Sequence, residues 1–518
     1  MRTVRVQGAC LFGIGTEAVT VEARFEGNEN KGPEMVITGL PDPLIRESRG
    51  RLMCALRENG LRIPGGVLSV NLVPAFRRKV GGALDLPIAL AAAAACGHLK
   101  PGWLENALFL GELGIDGRLH AVPGGLAASR LARTQGSPRL FAPAETARQA
   151  SWISGVACHG ANHLVEVIAH LSGAGPELPC LQREESSSQS PPENLPSLDQ
   201  VRGQAMAKRA LAVAALGGHG LLLVGPPGAG KTMLARRLVG LMPRPSDEER
   251  IEITLALTAA GLWPRSLAER RPFRAPHHTT SYAGLVGGGS PPQPGEISLA
   301  HCGLLFLDEL PEFQRESLEA LRQPLESGAV TIGRAGTSTT FPARFQLAAA
   351  MNPCPCGYRG HPKLACRCSN PMVERYRRRI SGPLLDRIEI CIDLQPPTVE
   401  ELLTKTPMPV APAGVSHAQL QQAVERGVSQ SSTRQGSLRN AQLGTEELDR
   451  FAPLDGHSRQ LLTRACHELT LSARAIQGLR RVARTIADLD LSETVQASHL
   501  AQAIGLRGGL HRTERSRA

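Results

Sequence analysis

The segment Gly225-Pro226-Pro227-Gly228-Ala229-Gly230-Lys231-Thr232 carries the residue types needed to hold a chain of phosphates. Its glycines let successive backbone N–H groups turn toward an anion, and a following helix adds its positive N-terminal end. Lys231 is a cation for the β- and γ-phosphates, and the Thr232 hydroxyl is a ligand for Mg²⁺. The spacing fits G-x-x-x-x-G-K-[ST] without a mismatch. A Gly/Pro turn that happens to contain Lys-Thr is the alternative. The apolar run Leu221–Val224 before the loop and the helical stretch Met233–Leu241 after it argue against that alternative, because strand, loop and helix in this order open a βαβ unit.

A second apolar run, Gly303-Leu-Leu-Phe-Leu307, ends in Asp308-Glu309. Such a strand delivers Asp308 to the metal, directly or through water, and sets Glu309 to polarise an attacking water. A third run, Gln346–Met351, ends in Asn352, whose amide is placed to sense the γ-phosphate and that water. A turn asparagine before Pro353 is the plainer reading of Asn352 taken alone. Phosphoryl transfer gains most from cations near the transition state. Arg387, in Gly382-Pro-Leu-Leu-Asp-Arg387, and Arg474, in Leu471-Ser-Ala-Arg474, are the candidates, although each by itself reads as a surface charge.

Four cysteines stand together as Cys354-x-Cys356 and Cys366-x-Cys368. Four thiolates satisfy tetrahedral zinc, and a structural Zn²⁺ is expected here, with His361 or His301 as substitutes for a thiol. A group of reduced thiols is the alternative, and catalytic zinc is not expected. The remaining eight of 12 cysteines are scattered and are expected as buried, reduced thiols.

The elements that must position these groups fall into blocks. The chain has 518 residues, 42% of them hydrophobic, which is enough for packed cores and excludes a disordered chain. Residues 1–170 read as one α/β domain, with a strand at Val19–Phe25, a helix at Ser48–Asn59, a strand at Val67–Val73 and a buried Ala-rich helix over 84–96. Residues 171–197 read as a Ser/Pro/Glu linker. Residues 198–396 hold the phosphate loop and the Cys cluster, beginning with a helix over Val201–Leu216 capped by Asp199. Residues 397–507 are mainly helical, and 508–518 form a tail. There is no signal-peptide pattern, and the longest apolar run, Leu86–Cys96, is too short to cross a bilayer, so a cytoplasmic protein without membrane contact is expected. A net charge of +11 favours polyanionic partners without specifying them.

Taken in order, GPPGAGKT, LLFLDE, Asn352, GPLLDR and LSAR resemble an AAA+ ATPase. Arg274-Ala-Pro-His277-His278-Thr-Thr-Ser281, Pro294-Gly-Glu-Ile-Ser-Leu-Ala-His301 and Asn352-Pro-Cys-Pro-Cys-Gly357 closely resemble the magnesium-chelatase-like family of ComM and YifB, over nearly the whole chain. The resemblance implies an α/β AAA+ core with a helical C-terminal lid, in a homohexameric ring using ATP and Mg²⁺. It implies Asn352 as sensor, Arg387 as an arginine acting on a neighbour's nucleotide, and Arg474 as the lid sensor. It implies a motor on single-stranded or branched DNA, a helicase for branch migration in transformation. The family's relation to MCM helicases implies a hairpin at 329–341 that brings Arg334 to DNA, and a flexible channel loop from His277 to Gly289. The first block resembles the Lon-type, S5-like α+β fold through Arg78-Lys79-Val-Gly81-Gly-Ala83 and Gly111–Leu119. There Ala83 replaces the serine and Ser129 the lysine of a Ser–Lys protease, so an ATP-dependent protease is disfavoured and a scaffold or DNA-guiding domain is expected. The ATPase subunit of a metal chelatase is the other alternative.

Overall fold

The computed structural model describes residues 3–507 apart from 29, 76–78, 80, 184–195, 335–336 and 397–415. Arg78, residues 184–195 of the expected linker, the tip of the 329–341 hairpin, the Pro-rich stretch and the C-terminal tail therefore lie outside the described residues. Two compact units emerge, Met1–Ser190 with Thr254–Ala268, and Pro191–Ile253 with Glu269–Ala518.

The first unit is built on a mixed eight-stranded sheet. Its strands run, in spatial order, Cys180–Leu181, Ala157–Ala161, Arg139–Pro143, Ala107–Phe109, Val4–Phe12, Gly15–Gly27, Gly66–Val73 and Pro33–Thr38. The alternation in Gly66–Val73 puts Leu68, Val70 and Leu72 into the core and turns Ser69 outward. Helix Asp85–Ala95 is buried from Asp85 to Ala94, as its unbroken apolar text requires. Its one acid, Asp85, is held by Arg51 at 2.5 Å and by the Leu113 N–H at 3.2 Å. Ala83 lies in the turn Gly82–Leu84, and Ser129 is buried in helix Gly125–Gln135, 4.0 Å from the Cys158 sulfur.

Two expectations for this region need correction. The expected linker contains ordered structure, because helix Leu164–Ser172 runs into it and Cys180–Leu181 adds an antiparallel edge strand to Ala157–Ala161. Nor are all scattered cysteines buried. Cys54 is exposed because it lies off the core-facing stripe of helix Pro43–Glu58, and Cys180 because it sits on that edge strand.

The second unit holds a five-stranded, wholly parallel sheet in the order Phe273–Arg274, Leu304–Leu307, Gln346–Met351, Leu221–Val224, Ile390–Asp393. The three central strands are buried along their whole length, as strands covered on both faces must be. Helix Ala205–Gly217 begins four residues later than expected, because Gly203 and Gln204 adopt left-handed backbone at φ 59° and 57° and break the turn. Asp199 is not its cap. It accepts instead from the Ser197 hydroxyl and the His417 N–H, both at 2.8 Å.

The C-terminal helices are His417–Gln435, Thr445–Phe451, Gly456–Leu469, Ala473–Leu489 and Ala497–Arg507. They close around a buried charge network. Asp488 is fully buried and accepts from Arg434 at 2.7 and 2.9 Å, from Arg484 at 2.8 and 3.1 Å, and from the Asn440 amide at 2.7 Å. One turn earlier, Thr485 meets the buried His219 ring at 2.7 Å, and His219 pairs in turn with Glu389 beside the last strand of the sheet. Helix Ala473–Leu489 is thereby tied both to its neighbours and to the sheet. Among the described residues, no helix is long and apolar enough to cross a membrane. Removing one partner of a buried ion pair costs about 3–5 kcal/mol, so Asp488→Ala should lower the unfolding free energy of the second unit by an amount of that order, read from the shift in denaturant midpoint at equilibrium.

Candidate nucleotide site

Register places the site. Val224 pairs with Met351, and Leu307 pairs with Ala349, so the phosphate loop, Asn352 and Asp308 leave one edge of the sheet side by side. This is the C-terminal edge of a parallel sheet, where ligands of such folds bind. The loop turns on Gly228 and Gly230, at φ 78° and 83°, a region costly for residues with a Cβ. Helix Lys231–Leu241 starts directly after it, two residues earlier than the apolar pattern alone implies.

The polar groups expected from the sequence converge here. The Lys231 ammonium donates to the Gly225 and Pro226 carbonyls at 2.7 and 3.0 Å and to the Asn352 Oδ1 at 3.0 Å. Burial lowers its pKa from the ordinary lysine value. The Thr232 hydroxyl donates to Asp308 Oδ2 at 2.6 Å. Glu309 follows in left-handed backbone at φ 51°, with its own N–H bonded to Asp308 Oδ1 at 3.0 Å. Its carboxylate faces His278 Nδ1 at 3.2 Å. The hydroxyl and carboxylate of Thr232 and Asp308 are the hard oxygen donors that suit Mg²⁺.

The strand carrying Asp308 is fastened at its other end. His301 accepts the Arg344 N–H at Nδ1 (3.0 Å), which leaves Nε2 to donate to Glu252 at 3.1 Å. Arg344 also binds the Glu252 carboxylate, and the Cys302 thiol lies 3.6 Å from it. Both His301 nitrogens are thus engaged in hydrogen bonds, and the group reads as a brace for the strand and not as a ligand set. The hydrogen bond from His301, with the Arg344 charge, lowers the Glu252 pKa from 4.5 to about 2.

Arg387 and Arg474 stand elsewhere. Both converge on Glu326, at 2.8 and 3.5 Å, and among the described residues neither contacts Lys231, Thr232, Asp308 or Glu309. Arg334 ends strand Ala329–Arg334, paired with Thr337–Pro342 as the expected hairpin, and its side chain lies outside the described structure. The stretch read as a flexible loop after His277 contains helix Tyr282–Val286, capped by Ser281, and a short ladder of Gly287–Gly288 with Gln293–Pro294.

The four clustered cysteines do come together. The Cys354, Cys356 and Cys366 sulfurs lie 3.4–3.6 Å apart, and with Cys368 all four fall within 4.8 Å of one another. Burial raises the Cys354 thiol to about 12, whereas hydrogen bonding to the Tyr358 backbone lowers Cys356 to about 6. Neither histidine substitutes for a thiol. His361 Nδ1 accepts from the Lys363 and Leu364 N–H groups, and His301 belongs to the Glu252 brace.

Sequence reasoning did not assign Glu326 or Tyr376, nor a role for His278. His278 sat in the quoted Arg274–Ser281 segment. Glu326 and Tyr376 carried no local signal, because their partners are remote in sequence.

The pattern of the family described as "Magnesium chelatase, subunit ChlI" matches residues 197–402, its C-terminal pattern matches 414–507, and "Subunit ChlI of Mg-chelatase" matches 21–146. The chain is 40% identical over 501 residues to YifB of Escherichia coli, covering 96% of this chain and 95% of that protein. It is 40% identical over 502 residues to the competence protein ComM of Haemophilus influenzae, covering 96% of both. The chain belongs to the ComM/YifB family, with a magnesium-chelatase-like AAA+ core. A more distant match, 23% identical over 219 residues, joins 41% of the chain to 25% of the DNA replication licensing factor Mcm6 of Drosophila pseudoobscura pseudoobscura.

The Glu252 brace gives a pH test. A carboxylate whose pKa falls on folding contributes stability that is complete above its unfolded value and is lost as pH drops through its folded value. The Glu252 contribution should therefore fade between pH 4.5 and about 2. Glu252→Gln should flatten that part of the acid limb in denaturant-midpoint measurements against pH.

Proposed function

We infer that this protein is an ATP-hydrolysing ring motor, a homohexamer acting on DNA, and that its work is helicase-driven branch migration in transformation or recombination. The observation that carries the catalytic part is the convergence of Lys231 with Asn352 and of Thr232 with Asp308, with Glu309 adjacent, at one sheet edge. In this reading the backbone of Gly225, Pro226, Pro227, Gly228, Ala229 and Gly230 cradles the phosphates. Lys231 exchanges its loop carbonyls for phosphate oxygens, and Thr232 and Asp308 would hold Mg²⁺, which would supply charge neutralisation for the phosphates. Glu309, released from His278, orients and polarises the attacking water, and Asn352 holds that water against the γ-phosphate.

Arg387 completes the pocket of a neighbouring subunit, and Arg474 is the lid sensor beside it. Supporting this, Glu326 gathers both guanidiniums in one place away from the chain's own phosphate loop. The Cys quartet holds structural Zn²⁺, as four thiols within reach of one ion favour.

DNA as the track is supported by the likeness to a competence protein and, distantly, to a replication licensing factor. The hairpin ending at Arg334 is the proposed contact, one that binds phosphates without reading sequence. The magnesium chelatase patterns support a second reading, the ATPase subunit of a metal-chelatase complex.

Forked DNA separates the two. It should raise steady-state ATP turnover by the wild type in a salt-sensitive manner, and Arg334→Ala should reduce that stimulation without changing DNA-free turnover. Turnover indifferent to DNA, with no strand displacement, would favour the chelatase reading. Glu309→Gln should still bind nucleotide but turn over roughly 10²–10⁴-fold more slowly.

A further inference from the structure

The Cys quartet adjoins the nucleotide site through both of its arms. Cys354 is the second residue after Asn352, whose amide holds Lys231 at 3.0 Å. Beyond Cys356 the chain turns at Gly357, φ 84°, and there it lies so close to the phosphate loop that a Cβ would come within 2.7 Å of Pro227 Cδ. The other arm leaves Cys368 into helix Asn370–Arg377. That helix returns a buried Tyr376, whose phenol oxygen faces the Asn352 backbone N–H. The peptide between the two Cys pairs, Gly357 to Ala365, contains neither helix nor strand, and its ends are cross-linked by the thiols and by one hydrogen bond from Arg359 to Asn370 Oδ1 at 3.2 Å.

We propose that metal bound by Cys354, Cys356, Cys366 and Cys368 is a positioning site for nucleotide turnover: it locks the two arms together and so fixes Asn352 and Pro227 against the phosphates. The ion touches no nucleotide in this arrangement. A tetrathiolate ion contributes directly to local folding, and here the segment it folds includes the back wall of the phosphate pocket. Tyr376 carries the effect from the second arm to Asn352, as groups one step removed from a metal commonly do. This rests on the zinc reading above and adds to it a dependence of nucleotide chemistry on the ion.

The experiment uses the full-length protein purified without chelators. Zinc content is measured by atomic emission, affinity with a fluorescent ATP analogue, and turnover by phosphate release, before and after thiol-reactive zinc extraction and after zinc is restored. The wild type should carry about one zinc per chain, as a four-thiol site requires. Extraction should weaken analogue binding and slow turnover together by roughly tenfold or more, reversed by zinc. Cys366→Ser combined with Cys368→Ser should behave as the extracted protein does. Tyr376→Phe keeps every thiol and should retain zinc, yet lower turnover several-fold. Absence of zinc from the wild type would remove the metal reading and this proposal together. Zinc present, with affinity and turnover unmoved by its extraction and by Tyr376→Phe, would overturn the proposal alone. A wild type that binds no ATP analogue would sink both the motor reading and this dependence on the ion.

Discussion

The register of three neighbouring parallel strands decides where each polar group of the nucleotide site stands. Leu221–Val224 and Gln346–Met351 end at one level and Leu304–Leu307 ends two residues earlier on the same edge, so residues 76 and 121 positions apart become neighbours. The side-chain bonds that follow, Lys231 to Asn352 and Thr232 to Asp308, are short because the backbone ladder has already set their origins. A shift of one residue in any of the three strands would turn its side chains to the opposite face and move its terminal polar group by about 3.3 Å. Much of the second unit can be understood as protection for that register. The His301–Glu252–Arg344 brace fastens the entry to the acidic strand, Gln346 bonds the Ala214 and His219 carbonyls at the start of its own strand, and His219 joins the sheet to the C-terminal helices.

Charge is arranged on the same principle. Buried ionic groups occur in networks whose members are each held by several partners, as Asp488 is by Arg434, Arg484 and Asn440. At the pocket itself the charges are engaged by contacts that ligands can displace. Lys231 rests on loop carbonyls, Glu309 on His278, and Arg387 and Arg474 on a single exposed Glu326. Pairs that reach solvent in this way are screened by water and held weakly. They cost little to exchange for other partners. The fixed networks hold the frame, and the weak pairs leave the working groups ready to move.

The text of the chain revealed the site more fully than its support. Gly225–Thr232, Asp308-Glu309 and Asn352 were legible because each sits where an apolar run stops, and periodicity marks such ends. The helix before the first strand was placed four residues early because Asp199 is a good cap by type. No local signal shows that Gln204 takes left-handed backbone. The edge strand Cys180–Leu181 was unreadable, since two residues cannot display alternation and its pairing partner is decided by the rest of the sheet. Glu326 looked like any surface acid. Its meaning appears only when Arg387 and Arg474, 87 positions apart, are seen to meet on it. The Cys quartet was visible as spacing, whereas the close approach of the adjoining Gly357 to Pro227 was not.

A pocket completed by two subunits is the central claim, and complementation tests it directly. Purified Lys231→Ala lacks the phosphate cradle and purified Arg387→Ala lacks the donated guanidinium, so each alone should be nearly inactive in ATP turnover. In a one-to-one mixture allowed to exchange subunits, roughly a quarter of head-to-tail pockets regain both parts, and turnover should rise well above either component. If the mixture is no more active than its inactive components, or if either variant alone turns over like the wild type, the pocket is not shared and the ring mechanism is contradicted.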